Sequence, residues 1–181
     1  MDTFAHGVAG ALFFSRSGYA GLLMKKKDAE PEPRRFDWTL AAAALFGVLP
    51  DLLSFSYVVF KHIFGGGRGK PPLEDIPGWV FASYNMTHSL IIVTAAVLLL
   101  FLVNRWLGIS ACAWLWHVLC DIPTHSKAYF PTPFLYPLSD FTVDGVSFMC
   151  PSIFISYWSF LIVAAVLLVW LKQPGRKDLQ H

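Results

Sequence analysis

Residues 84–104 read YNMTHSLIIVTAAVLLLFLVN, a run whose last fourteen positions before Asn104 are all apolar but one. No soluble helix exposes such a face, and about 20 residues are what a helix needs to cross a ~30 Å hydrocarbon core. Residues 153–171, IFISYWSFLIVAAVLLVWL, repeat the pattern without a charge. Between them, residues 106–122 (WLGISACAWLWHVLCDI) are apolar except for His117 and Asp121, four apart. Upstream, 38–62 is apolar but interrupted by Leu49-Pro50-Asp51, and 4–24 is the weakest segment, holding Arg16 and several glycines. The expected fold is an all-α, polytopic transmembrane helix bundle of about five segments. It forms one integral membrane domain over residues 1–172, followed by a polar C-terminal tail at 173–181.

The composition agrees. Of 181 residues, 55% are hydrophobic and only 14% charged, against about 25% charged in an ordinary soluble domain; mean hydropathy is +0.52. A net charge of +2 leaves no basic face for nucleic acid. Cys112, Cys120 and Cys150 make no C-x-x-C pair, so neither a zinc knuckle nor a redox motif is implied. No internal repeat supports a transporter. No G-x-S-x-G supports covalent serine catalysis.

Lys25, Lys26, Lys27, Arg34, Arg35, Arg105, Lys172, Arg176 and Lys177 fall on one side if all five segments cross. Only Lys61, Arg68, Lys70 and Lys127 fall on the other. The positive-inside rule therefore places the 25–35 loop and the C-terminus in the cytoplasm, for a multi-pass protein of the inner membrane. Trp38, Trp79, Trp106 and Trp170 stand near segment ends, as interfacial aromatics do.

Ionisable side chains inside such segments cost about 2.5–3.5 kcal/mol each on the mildest scale. His6, Asp51, His88, His117 and Asp121 are of this kind, with His125 close behind. Singly, each has a structural explanation: a packing hydrogen bond, a cap after Pro50, or an i, i+4 pair. Their depth argues otherwise. Asp51 is ~16 Å from the outer end of its segment, and the others fall within roughly 5–15 Å of the same boundary. Imidazoles with carboxylates are a donor set for zinc and similar divalent cations, and a cation offsets the cost of burying aspartates. His6, Asp51, His88, His117 and Asp121 are thus expected to be ligands for a divalent metal, zinc first. Apolar stretches such as Ile91 to Val103 count against an ion or proton pathway through the full membrane.

At these residues the chain resembles the bacterial membrane-bound metal-dependent hydrolases, the YdjM-like inner-membrane proteins. The resemblance rests on Ala5-His6-Gly7, Leu49-Pro50-Asp51, Thr87-His88-Ser89, His117-x-x-x-Asp121-x-x-Thr124 and Pro133-Phe134-Leu135-Tyr136-Pro137, in that order over residues 5 to 140. Family members often carry a second aspartate where Leu53 stands. They also often read His-Arg-Gly-x before Thr-His-Ser, where this chain has Ser83-Tyr84-Asn85-Met86. The resemblance implies a metal site, and its missing ligands imply a single metal.

Residues 126–152 are long for a connection and dense in aromatics and proline. They are expected to cap the site or to lie along the membrane surface. His125 and Asp144 are the candidates for acid–base catalysis, with Asp140 beside them. The expected activity is metal-dependent hydrolysis of a lipid or phosphoester, at a site opening to the outer leaflet or periplasm. The alternative is a non-catalytic membrane protein with a structural metal. Membrane lipids are the expected partners.

Overall fold

The computed structural model describes residues 1–24, 36–66, 69 and 71–173, and among these there are helices and no strand. In chain order they are α1 (Thr3–Phe14), α2 (Tyr19–Met24), α3 (Trp38–Phe64), a 3-10 turn (Leu73–Asp75), α4 (Gly78–Thr87), α5 (Leu90–Val103), α6 (Arg105–Thr124) and α7 (Pro151–Leu171). The basic residues Lys25, Lys26, Lys27, Arg34, Arg35, Arg68, Lys70, Arg176 and Lys177, and the tail beyond Gln173, lie outside the described residues.

Two helices, α3 and α7, are long and apolar enough to cross a membrane, and the bent pair α4–α5 makes a third if it counts as one span. Of the about five expected segments, length and composition thus mark two or three as spans among the described residues. α6 has 20 residues but too polar a composition to qualify. Segment 4–24 divides at Ser15–Gly18. There the N–H of Arg16 donates to Thr39 Oγ1 (2.8 Å) and that of Ser17 to Asp37 Oδ2 (2.8 Å). Two amides that a continuous helix would pair internally instead tie the chain to the start of α3. Asp37 also caps α3 by accepting from Thr39 N. Burial raises its pKa, but the hydrogen bonds from Ser17 and Thr39 outweigh that and hold the carboxyl below its ordinary value. Arg16 is accommodated over the rings of Trp38 and Trp106, at 5.8 and 5.0 Å.

α3 is the spine. It packs against α1, α4 and α6, while α5 packs against α6 and α7 against α1. The α1–α3 approach is close because small residues face each other across it. A β-carbon on Gly10 would lie 2.2 Å from the Ala43 carbonyl oxygen, and one on Gly47 would lie 2.3 Å from that of His6. Close backbone contact of this kind is the usual means of packing helices in lipid, where no hydrophobic force pulls them together.

The segment 84–104 breaks at His88–Ser89, where α4 and α5 diverge by 58°. Every backbone group freed at such a break must be paired in an apolar setting. Ser89 caps α5 by accepting from Ile92 N (3.2 Å). Trp114 Nε1 donates to the Thr87 carbonyl (2.8 Å). The Leu90 amide donates to the Phe134 carbonyl (3.0 Å), and the Ser89 hydroxyl to that of Tyr136. The Pro133–Pro137 stretch of the long loop is thus seated on the break. The loop's far end is bonded to the last turn of α6, through Gly145 N to His125 O (2.8 Å), Val146 N to Pro123 O (3.0 Å) and Phe148 N to Thr124 O (3.0 Å).

Candidate metal centre

Four side chains from two helices and the α4–α5 break converge in the interior. Asp51 comes from the turn after Pro50 in α3, His88 from the break, and His117 and Asp121 from one face of α6. One ligand atom from each lies within 4.8 Å of all the others. His117 Nε2 is 3.3 Å from His88 Nε2, 3.1 Å from Asp121 Oδ2 and 3.6 Å from Asp51 Oδ1. His88 Nε2 is 3.7 Å from both of those carboxylate oxygens. Bond lengths of roughly 2.0–2.2 Å around a tetrahedral zinc place neighbouring donors about 3.3–3.6 Å apart. The five donor distances, 3.1 to 3.7 Å, lie around that range, and the four residues could hold a metal ion.

The hydrogen bonds behind the rings decide what the inner nitrogens carry. His117 Nδ1 is 2.6 Å from the Gly47 carbonyl oxygen, and His88 Nδ1 is 3.2 Å from that of Tyr84. A carbonyl only accepts, so His117 Nδ1 holds a proton and, in the neutral ring, its Nε2 is a lone pair. His88 Nδ1 also lies 3.0 Å from Thr87 Oγ1. In the tautomer that donates to the Tyr84 carbonyl its Nε2 is a lone pair too, and two lone pairs at 3.3 Å beside two carboxylates suit a cation between them, a proton on one ring or a metal ion. Nδ1–H bonded to a carbonyl is also the usual second support of a metal-ligating histidine. Each ring is backed by another, His117 by His6 (centroids 3.7 Å apart) and His88 by Tyr84 (4.0 Å).

His6 stands beside this set, not in it. Its Nε2 is 2.9 Å from Asp121 Oδ1, to which it donates, and its buried Nδ1 has no partner among the described residues. The Met1 amine reaches the same oxygen at 2.8 Å. Asp121 therefore turns Oδ1 toward α1 and Oδ2 toward the histidines. His125 Nε2 lies 3.6 Å from Asp121 Oδ2, while its Nδ1 is held by the Phe130 carbonyl (2.9 Å) and the Tyr84 hydroxyl (3.1 Å).

Asp144 is not brought to the centre. It is exposed, and its carboxylate accepts from Lys127 N (2.8 Å), capping its own loop; Asp140 is exposed as well. The sequence reading missed Thr3, whose hydroxyl donates to Asp51 Oδ2 (2.6 Å), and Tyr84. Tyr84 sits one turn before His88 on the same helix face, a spacing that could have pointed to it.

A cavity of about 340 Å³ opens onto the cluster at one side only. Asp51, whose side chain is 14% exposed, lines it together with His125, whereas His88, His117 and Asp121 are sealed at 0–1%. Fold and site together define a class: an all-helical, membrane-associated chain with a buried His/Asp centre able to hold a metal ion. No family model, no curated protein and no solved structure matches the chain.

Proposed function

We propose that the chain is a membrane-embedded, metal-dependent hydrolase of the YdjM-like kind, with His88, His117 and Asp121 holding a single zinc ion and Asp51 facing the substrate. The observation that carries this reading is the cavity that reaches Asp51 and His125 beside three sealed donors. Two imidazoles and a carboxylate are the donor set of catalytic zinc sites, which keep one position open. When bound, the ion would polarise a carbonyl or phosphoryl oxygen and lower the pKa of a water to about 7. The chain's own residues do the rest. Thr3 fixes Asp51 by its hydroxyl bond to Oδ2, leaving Oδ1 toward the cluster. His125 has its Nδ1 proton committed to the Phe130 carbonyl, so Nε2 is the nitrogen free to take a proton from water or return one to the leaving group. Asp121 is oriented by His6.

The topology that accompanies this reading has about five membrane-entering segments, with α1 and α2 together as the first. The site opens to the outer leaflet or periplasm of the inner membrane, and the C-terminus lies in the cytoplasm. The substrate is a lipid or phosphoester.

One observation favours a second reading. Counting Asp51, four protein donors stand together, the number that a structural zinc site uses. Metal analysis of the purified protein separates the two. Wild type should hold one zinc per chain, and His117→Ala none. The hydrolase reading expects Asp51→Asn to keep the metal and lose turnover in a screen of ester and phosphoester substrates. A structural site expects Asp51→Asn to release the metal and lower Tm. Metal-free wild type would end both readings.

A further inference from the structure

Three atoms form a triangle behind His125. Its Nδ1 is 2.9 Å from the Phe130 carbonyl oxygen and 3.1 Å from the Tyr84 hydroxyl, which itself lies 2.8 Å from that carbonyl. One arrangement of protons makes all three contacts attractive. The carbonyl only accepts, so it takes the Tyr84 proton and the Nδ1 proton together, and the phenol oxygen turns a lone pair to the same N–H. With the proton on Nε2 instead, Nδ1 and the carbonyl would meet lone pair to lone pair.

The backbone is turned to make this triangle. Among the described residues Phe130 is the one non-glycine with a positive φ, at 51°. Such a conformation persists only where the surroundings over-determine it. The Phe130 ring is buried, stacked on Phe81 (centroids 4.9 Å apart) and met edge-on by Phe55 (4.8 Å) and Tyr84 (5.1 Å). Tyr84 is also buried, so one side chain touches the His88 ring with its face and His125 with its hydroxyl.

The backbone of His125 is fixed from both sides, its N–H donating to the Asp121 carbonyl (3.0 Å) and its carbonyl accepting from Gly145 N (2.8 Å). What remains is rotation of the ring. A half-turn would exchange Nδ1 with Cδ2 and Nε2 with Cε1, and so present carbon where Nε2 now faces Asp121 Oδ2 at 3.6 Å. The triangle opposes that half-turn. We propose that Tyr84 is a positioning residue for His125: its hydroxyl and the Phe130 carbonyl keep the proton on Nδ1 and hold the bare Nε2 ready for proton transfer. The step it serves rests on the hydrolase reading above. Nε2 accepts a proton from water as the water oxygen bonds to the carbon or phosphorus under attack. It returns that proton to the leaving oxygen as the bond to that oxygen breaks, while the Nδ1 proton stays in the triangle.

The test uses zinc-loaded protein in nanodiscs. Nitrogen NMR of isotope-labelled histidine at alkaline pH, with His125 assigned by its loss in His125→Gln, should find the proton on Nδ1 and none on Nε2. Tyr84→Phe keeps the ring against His88 and Phe130 and removes only the hydroxyl. In that variant the Nδ1 proton should exchange with water about three- to tenfold faster, the worth of one hydrogen bond, with bound zinc unchanged. Turnover is read with two chromogenic probes, p-nitrophenyl butyrate and bis(p-nitrophenyl) phosphate, a carboxylic ester and a phosphodiester. On whichever probe wild type cleaves, Tyr84→Phe should lower kcat by about three- to tenfold with KM within about twofold. His125→Gln should lower it by about 10²–10⁴-fold. Combined with His125→Gln, Tyr84→Phe should cost nothing further, because it acts through that ring. A proton on Nε2, an unchanged kcat, a loss that multiplies with that of His125→Gln, or release of zinc each overturns the assignment. If wild type cleaves neither probe, the hydrolase reading fails, and the tautomer and the exchange rate decide the positioning on their own.

Discussion

Asp121 does two jobs with its two oxygens. Oδ1 receives the His6 Nε2–H and the Met1 amine, while Oδ2 faces His117, His88 and His125. This division predicts unequal outcomes for two histidines that look alike in sequence. His117→Ala removes a donor and should abolish stoichiometric zinc. His6→Ala removes only the partner that aims Asp121, and should weaken zinc by about 10–100-fold without abolishing it, as loss of an outer partner typically does. A competition titration with a chelator of known affinity reads the difference. At this scale the sequence was legible where cost was the signal: His88, His117, Asp51 and Asp121 all stood out as ionisable groups in apolar runs. Their division of labour was not legible, because it depends on which nitrogen of each ring meets a carbonyl from another helix. Asp144 misled for the opposite reason. A carboxylate in a polar loop costs nothing, and this one accepts an amide of its own loop.

Helix contacts, more than helix propensities, position those side chains. α1 carries His6 to Asp121 only because Gly10 lets it lie against Ala43 of α3. Gly10→Ala should therefore cost about 1–3 kcal/mol, since the blocking atom is a backbone oxygen that cannot turn aside. Gly78→Ala, where an added β-carbon meets nothing within 4 Å, should be neutral or slightly stabilising. Thermal melts of the two variants in one detergent compare them, and zinc affinity should fall with the first alone. The sequence announced α7 as an uninterrupted helix, and it is; it marked 38–62 as interrupted at Leu49-Pro50-Asp51, whereas α3 runs on through Pro50. It hid two breaks. Residues 84–104 read as one span because hydropathy does not register that Ser89 can cap a new helix. The Arg16 region hinted at the other break, but its cause lies in Asp37 and Thr39, more than twenty residues away.

The described residues leave a broad apolar exterior, and α7 shows it most plainly. Ile155, Ile162, Val166 and Val169 are exposed on a helix long enough to cross a membrane. α7 is joined to the rest by a few polar contacts, among them Trp158 Nε1 to Asp2 (3.0 Å) and the Tyr19 hydroxyl to the Ala164 carbonyl (2.7 Å). The proposed orientation makes a direct prediction for this assembly. In a background with Cys112, Cys120 and Cys150 replaced by serine or alanine, a cysteine at Leu138, 81% exposed on the long loop, should react with a membrane-impermeant maleimide in intact cells whose outer membrane is permeabilised. A cysteine at exposed Ser17 should react only after lysis. Reversed labelling would invert the topology and leave the centre itself untouched. The seating of the loop on the helix break has a consequence for biosynthesis. Thr87, Ser89 and Leu90 find their partners in Trp114, Tyr136 and Phe134, all of which leave the ribosome later. Until residue 136 has emerged, the newly inserted 78–103 stretch carries unpaired polar groups, each costing several kcal/mol in hydrocarbon. Closure of the centre is thereby coupled to completion of the loop, whose residues 134 and 136 supply the last partners of the break.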